Sequence, residues 1–180
     1  MPNVKGSNVV SAVKMLRANR ERALALLAPK YHRYLNERVV VASWYPEADQ
    51  LELLRVVASM LPPTPDPWMT MGRIAARGDL STLYSYMVKP GEMKGTLRAA
   101  TALWQTFHDT GELKITLEAP GRALATVRDY AASCREMCRV VGGYVTEVAV
   151  AAGANEVSTA KSGCVHEGAP LCSWRMTWRA

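Results

Sequence analysis

Three cysteines in the second half of the chain have a residue type and a spacing that could bind a metal ion. Cys138 lies in a stretch where apolar residues recur every three or four positions, which predicts a long amphipathic helix. Cys172 opens a stretch that alternates as a half-buried strand does, and a turn at Gly168 would place Cys164 opposite it. Because the helix has to bury its apolar face on that sheet, the three thiols are expected to converge.

A structural zinc ion is the metal that such thiols would suit. Zinc is usually held by four ligands in a tetrahedron, and thiolates are among the ligands it prefers. His166 has the same strand parity as Cys164 and is the candidate for the fourth position, with water as the alternative. Cys134, one helical turn before Cys138, could join the set or only pack. A metal-free interpretation stays open, because cysteine also behaves as a small buried hydrophobic residue.

A second group of residues could bind a small organic ligand. Several aromatic side chains and one histidine stand on helix faces or at helix entries, where they could line an apolar cavity with a few polar tips. These residues are Trp44, Tyr45, Trp104, Phe107, His108 and Tyr144. Helical spacing also predicts burial without any cavity, so the alternative is that they only fill the core.

The elements that must position these residues follow from the periodicity of apolar residues. Helical spacing dominates the chain as far as Gly111, and period-two alternation begins at Leu113. The predicted order is helices, a first hairpin at 113–127, a long helix that ends at Gly153, and strands at 155–165 and 171–178. This order predicts an α+β fold in which N-terminal helices pack on a small antiparallel sheet, with a long helix in the C-terminal half and a closing β-hairpin.

Composition predicts one cytoplasmic domain that spans residues 1–180. The 180 residues, 49% of them hydrophobic, suffice for one well-buried core and are few for two domains. The chain has neither a signal peptide nor an apolar run of about eighteen residues, so no membrane span is expected. Its four cysteines lack the spacing of a disulfide scaffold, which is typical of a reducing compartment.

Charge and motifs argue against two classes of function. The net charge of +6 is scattered and forms no basic run interleaved with aromatic residues, so nucleic-acid binding is not expected. The sequence lacks a nucleophile elbow, a phosphate-binding glycine loop and an H-E-x-x-H motif. His108 and Asp109 are adjacent, but at the end of a helix Asp109 is better explained as a turn residue. The sequence therefore predicts a protein that is not an enzyme.

The C-terminal half resembles 4-vinyl-reductase-type (V4R) domains. The resemblance rests on the run Cys138–Tyr144, on Cys164, and on Gly168 and Cys172 ahead of an alternating strand. V4R domains belong to the superfamily of heme-NO-binding-like and TRAPP-like ligand domains, which includes the phenol-sensing modules of bacterial activators. The resemblance implies a buried aromatic-ligand pocket beside a structural zinc held by the three cysteines and a glutamate. Lys161 occupies the position of that glutamate here.

The N-terminal half resembles an uncharacterised branch of bacterial single-domain proteins in the same superfamily. The matching segments are Lys5–Ser7, Ser43–Pro46 and Leu103–Leu113. Together the two resemblances span nearly the whole chain. They imply a cytoplasmic sensor or regulatory module that binds a small hydrophobic or aromatic ligand. The alternative is a protein-interaction adaptor subunit, a TRAPP-like dimer without a small-molecule ligand, and a homodimer is the expected assembly.

Overall fold

Helices make up most of the first half of the chain, as the spacing of its apolar residues predicts. The computed structural model of the protein describes residues 1–82 and 84–179. The elements in this half are β1 (Asn3–Lys5), α1 (Gly6–Ala18), α2 (Arg20–Leu26), α3 (Arg33–Asn36), β2 (Trp44–Pro46), α4 (Glu47–Met60), α5 (Pro67–Ser81) and α6 (Met93–Phe107). The proline-rich segment between α4 and α5 is neither helix nor strand, because proline lacks the backbone donor that both need.

The second half of the chain forms an antiparallel sheet and one long helix. Its elements are β3 (Glu112–Ala119), β4 (Arg122–Arg128), α7 (Arg135–Ala151), β5 (Asn155–Gly163) and β6 (Cys172–Arg179). The strands pair in the order β3-β4-β6-β5, with every neighbouring pair antiparallel. The predicted α+β class, the long helix and the closing β-hairpin are confirmed.

The described chain divides into two compact units. The first comprises Met1–Pro67 and Thr106–Thr110, and the second comprises Trp68–Gln105 and the residues from Gly111 onward. A single domain over residues 1–180 therefore stays a prediction. No helix among the described residues is both long enough and apolar enough to cross a membrane.

The first unit is built around the packing of α1 on α4. Val9 and Leu16 of α1 are buried, as are Leu53 and Val57 of α4. Strands β1 and β2 pair antiparallel beside these helices. The Asp109 carboxylate accepts hydrogen bonds from the backbone N–H of Asn3, at 2.7 Å, and from its side-chain amide, at 2.8 Å. These bonds hold the segment that follows α6 against the N-terminus of the chain.

In the second unit α7 is packed on two sides. One face meets the sheet, where a Cβ added to Gly142 would stand 2.9 Å from Trp174 Nε1. Another face meets α5 so closely that a Cβ on Gly72 would overlap the Val140 carbonyl. A Cβ on Gly143 would likewise overlap the Met69 carbonyl of α5. Glycines at these positions allow the backbones to approach.

An ion-pair cluster also joins α5 to α7. The buried Glu147 carboxylate lies 3.0 Å from Arg73 Nε and 2.6 Å from Arg77 Nε. Burial favours the neutral acid, but the two guanidinium groups outweigh it and lower the pKa of Glu147. A buried carboxylate without these partners would be costly, so the cluster fixes the register of the two helices.

The close approach of α5 and α7 predicts opposite outcomes for two glycine substitutions on one helix. Gly72→Ala should lower the free energy of unfolding by about 2 kcal/mol, because the new methyl group collides with the backbone of α7. Gly78→Ala, a matched control on α5 with no atom within 4 Å of the added Cβ, should raise it by roughly 0.5–1 kcal/mol. Urea denaturation of both variants measures the difference, and equal destabilisation would contradict the contact.

Candidate functional site

A small cavity lies in the second unit where α7 faces the sheet. Its volume is about 20 Å³, which is enough for roughly one water molecule. It is lined mainly by apolar groups, and two of the three cysteine thiols face it. The lining residues are Val127, Tyr130, Ser133, Met137, Cys138, Val141, Cys172 and Trp174.

The start of α7 places one wall of the cavity. Cys134 is the N-cap of the helix, and its Sγ accepts the backbone N–H of Met137 at 3.4 Å. This bond satisfies one of the donors that a helix leaves unpaired at its N-terminus. Cys134 therefore caps the helix and stands apart from the thiol cluster. Met137, Cys138 and Val141 then follow at helical spacing and line the cavity.

Strands β4 and β6 place the opposite wall. Val127 of β4 stands opposite Cys172 of β6 in the antiparallel register. Cys172, Trp174 and Met176 alternate along β6 and are all buried. This alternation is the pattern that the sequence shows, and it brings the Trp174 ring beside the thiols.

The structure brings Cys138, Cys164 and Cys172 together. The Sγ atoms of Cys138 and Cys172 are 3.2 Å apart, and all three sulfurs lie within 4.8 Å of one another. All three residues are buried. The Lys161 Nζ lies 4.2 Å from the centroid of the Trp174 ring, and its positive charge acts on the thiols of Cys138 and Cys172.

The two closest thiols differ in acidity. Burial, together with the hydrogen bond to Cys172, raises the pKa of Cys138 to about 12. Burial also acts against ionisation of Cys172. Hydrogen bonds from the Val165 N–H and the Cys138 thiol, and the charge of Lys161, outweigh it and lower the pKa of Cys172. A negative charge in this cluster therefore belongs on Cys172.

The proposed fourth metal ligand, His166, lies outside the thiol cluster. His166 is exposed, and its Nε2 lies 3.1 Å from Ser133 Oγ. The part of the chain that the structure describes thus groups three sulfurs as ligand atoms, without the imidazole. A metal-binding role for Cys138, Cys164, Cys172 and His166 stays a prediction.

Two of the predicted ligand-binding residues belong to the second unit but do not line the cavity. Trp104 is buried and packs edge-on against Tyr130, with ring centroids 5.0 Å apart. Tyr144 donates its hydroxyl hydrogen bond to Asp79 Oδ2 at 3.2 Å. Burial and the neighbouring Asp79 carboxylate raise the pKa of Tyr144, so its hydroxyl stays protonated.

The other four predicted ligand-binding residues belong to the first unit. Trp44 is 45% exposed beneath the Lys5 ammonium, and the Tyr45 hydroxyl accepts the Val40 N–H at 2.8 Å. Phe107 is buried. His108 is buried as well, and its Nδ1 hydrogen-bonds to the carboxylate of Glu47, which is also buried. A ligand-binding role for these six aromatic and histidine residues stays a prediction.

Several lining residues escaped the sequence analysis. Trp174 could have been found, because it alternates with Cys172 along one face of β6. The apolar periodicity would begin the long helix at Val127 or Tyr130, but that helix begins at Arg135, so Tyr130 lies in the irregular segment between β4 and α7. Outside the cavity, Glu47, the buried partner of His108, gave no signal either, since a glutamate at the start of a helix is ordinarily a surface residue.

The geometry defines an α+β domain with a thiol-lined cavity between one helix and an antiparallel sheet, and solved structures share its fold. An H-NOX protein from S. oneidensis in its Fe(II)NO ligation state aligns with a TM-score of 0.68 at 16% identity, over 98% of this chain and 99% of that one. An oxygen-binding H-NOX domain related to soluble guanylate cyclases aligns with a TM-score of 0.68 at 12% identity, covering 98% and 95%. A structure from a study of heme distortion in the H-NOX family gives a TM-score of 0.67 at 13% identity, again covering 98% and 95%.

These likenesses show that the chain has the fold of heme-NO-binding (H-NOX) domains. The expectation of a fold like that of heme-NO-binding domains is confirmed. The narrower V4R and TRAPP-like identification is not supported. No family model matches the chain, and no curated protein matches it.

The prediction of zinc as the cofactor is wrong. The solved neighbours are described with Fe(II) and heme, and not with zinc. The charge of Lys161 gives a physical reason against zinc as well. Its ammonium group would repel a metal cation bound beside Cys138 and Cys172. Two positive charges would then compete for the same sulfurs.

The contact between Asp79 and Tyr144 predicts a pH-dependent stability. Burial raises the pKa of Asp79 from 3.8 to about 6, and the hydrogen bond from Tyr144 only partly offsets this rise. Because the folded protein holds the proton more tightly than the unfolded chain, Asp79 costs stability as the pH rises from about 4 to 6. Asp79→Asn should therefore raise the free energy of unfolding at pH 7 by on the order of 1 kcal/mol, with little change at pH 4.

Urea denaturation at both pH values measures this effect. Asp129→Asn, which neutralises an exposed carboxylate in the same unit, is the matched control and should leave the pH dependence unchanged. An Asp79→Asn variant whose stability falls between pH 4 and 7 as steeply as that of the wild type would contradict the burial of this carboxyl group.

Proposed function

We propose that the protein is a non-enzymatic sensor or regulatory domain that binds a small apolar molecule in the cavity between α7 and the sheet. The observation that carries this proposal is the lining of that cavity, which combines aliphatic and aromatic side chains with two thiols. Small-ligand sites are typically concave, mostly apolar and furnished with a few polar groups. The cavity has this composition on a small scale.

The fold supports the same proposal. The neighbouring structures include a domain described as oxygen-binding and related to soluble guanylate cyclases. Another is described in its Fe(II)NO ligation state. A shared fold does not transfer a ligand, because function depends on the residues of the site. Which ligand is suitable therefore has to be judged from the residues of this chain that line the cavity.

Haem does not fit the cavity of this chain. The volume of about 20 Å³ is far below the roughly 300 Å³ at which pockets for organic ligands begin. A histidine ligand is also missing from its lining, because His108, the buried histidine, belongs to the first unit. We therefore assign the cavity no haem chemistry.

The cavity suits a ligand of one or a few heavy atoms. Apolar cavities stay dry and take up xenon or benzene according to their size. Met137 forms part of the wall, and its flexible thioether side chain can move aside for a larger guest. A ligand that enters here pushes α7 away from β6, which couples occupancy to the position of the longest helix in the unit.

The proposal predicts that xenon binds in this cavity. In wild-type protein saturated with xenon, the methyl resonances of Val127, Met137 and Val141 should shift in NMR spectra, while those of the first unit should not. Val141→Phe should weaken xenon binding by at least about tenfold, because the larger ring fills the space. Titration with benzene then tests whether the wall can expand.

Val150→Phe is the matched control, since it adds the same ring on the same helix outside the cavity. Its xenon-induced shifts should equal those of the wild type. Shifts that persist in Val141→Phe, or that never appear in the wild type, would contradict ligand binding at this site. The homodimer and the adaptor role stay predictions of the sequence alone.

A further inference from the structure

We propose that the first unit docks on anionic phospholipid surfaces through an exposed apolar segment, residues 40–44, and the cations beside it. The segment follows α3 and ends with the first residue of β2, and its sequence is Val-Val-Ala-Ser-Trp. This surface is separate from the cavity of the second unit, and the proposal does not depend on a ligand there.

The apolar side chains of segment 40–44 face solvent together. Val40 is 48% exposed, Val41 is 46% exposed and Trp44 is 45% exposed, and Ala42 between them is exposed as well. Single exposed apolar side chains are ordinary on protein surfaces, whereas a contiguous group of them marks an interaction site. The tryptophan adds a preference for membranes, because its ring is enriched at the level of the lipid headgroups.

The backbone of the segment is held by hydrogen bonds to the rest of the unit. The carbonyls of Ser43 and Val41 accept the first two backbone N–H groups of α1, at 2.8 Å and 3.1 Å. The Val40 carbonyl accepts the Ser43 N–H at 3.1 Å, and the Val40 N–H donates to the Tyr45 hydroxyl at 2.8 Å. Unpaired backbone groups are costly in the hydrocarbon of a bilayer. Because these groups are already paired, the side chains can enter the edge of the hydrocarbon without exposing them to it.

Cations flank the apolar segment at both ends. The Lys5 Nζ lies 4.0 Å from the centroid of the Trp44 ring, and Arg38 is exposed just before the segment. Arg17 donates to the backbone carbonyl of Glu37, which places a third positive charge next to Arg38. The exposed carboxylate of Glu37 opposes only one of these three charges. Positive charge beside exposed apolar side chains is the combination that binds anionic lipid surfaces.

A lipid surface suits this face better than a second copy of the chain. In a symmetric dimer across the face, Lys5 and Arg38 would lie near the same cations of the other copy, and like charges repel. A stable protein interface also needs about 20–30 residues on each side, whereas segment 40–44 offers four exposed apolar residues. A bilayer needs no complementary shape, since apolar burial and attraction to anionic headgroups set the affinity.

Co-sedimentation of the intact chain with vesicles tests the proposal. The wild type should pellet with phosphatidylcholine vesicles that contain roughly one third phosphatidylglycerol, and it should stay in solution with phosphatidylcholine alone. Sodium chloride at about 0.5 M should weaken binding several-fold, because it screens the attraction. Arg38→Glu should weaken binding by roughly tenfold, because it reverses a charge at the surface. Val41→Asp should do the same, because its carboxylate would have to leave water.

Each variant has a matched control in the second unit. Arg98→Glu reverses a charge at an exposed position of α6, and Ile74→Asp adds a carboxylate at a side chain of α5 that is 45% exposed. Both controls should bind within about twofold of the wild type, because they lie outside the docking surface. Equal binding to neutral vesicles would overturn the proposal, as would Arg38→Glu and Val41→Asp variants that bind as well as their controls.

Tryptophan fluorescence reports whether the segment itself enters the lipid. Vesicle binding should shift the emission of the wild type to shorter wavelength. Trp44→Phe keeps an aromatic ring, so it should still pellet with the vesicles but lose most of the shift. A shift of full size in Trp44→Phe would overturn the proposal, and so would binding to a DNA duplex in place of the vesicles. Vesicle binding and xenon binding are measured separately, so failure of one leaves the result of the other intact.

Discussion

The second unit depends on the close packing of α7 against two neighbours at once. Gly142 and Gly143 lie side by side in the middle of that helix, where each costs roughly 0.5–1 kcal/mol in intrinsic helix propensity relative to alanine. The cost is offset by contact on both sides, because the Trp174 ring reaches Gly142 and the backbone of α5 reaches Gly143. A side chain at either position would separate the layers.

This packing fixes where the thiols and the cavity lie. Cys138 is one helical turn before Gly142, so the approach of Gly142 to Trp174 also brings Cys138 against the start of β6. The wide Trp174 ring holds helix and sheet apart at one end, and the smaller side chains beside it leave the cavity. The site therefore lies between neighbours of unequal size on one strand, and Tyr130 and Ser133 of the segment before α7 complete its lining.

The sequence predicted the elements with strong periodicity and missed those without it. The long helix and the closing hairpin repeat their apolar residues over many positions, which suffices to assign their type. Strands β1 and β2 are three residues each, too short for a period, and they pair only because the chain returns to its N-terminus. The burial of His108 against Glu47 is equally invisible to a local pattern, since these residues are far apart in sequence.

The site shows the same division between local and long-range information. The apolar stripe of α7 and the alternation of β6 place Cys138 and Cys172 on facing surfaces, and the structure brings their sulfurs into contact. The fourth member of the expected set, His166, lies apart from the sulfurs for a local reason. His166 lies in a short 3₁₀ turn, Val165–Glu167, which interrupts the strand parity on which its assignment rested.

The positive charge of Lys161 affects what the cluster of Cys138, Cys164 and Cys172 can bind. The resemblance to zinc-binding sensors places a carboxylate at this position, which would add negative charge to the sulfurs and favour a cation among them. The ammonium group of Lys161 instead adds positive charge beside the sulfurs and disfavours a cation among them. Two unit charges about 4 Å apart interact by about 4 kcal/mol at an effective dielectric constant near 20, and a divalent ion doubles that repulsion. The same positive charge stabilises a single thiolate on Cys172 without any metal. The charge at position 161 therefore disfavours a second cation beside the sulfurs and favours a single thiolate on Cys172.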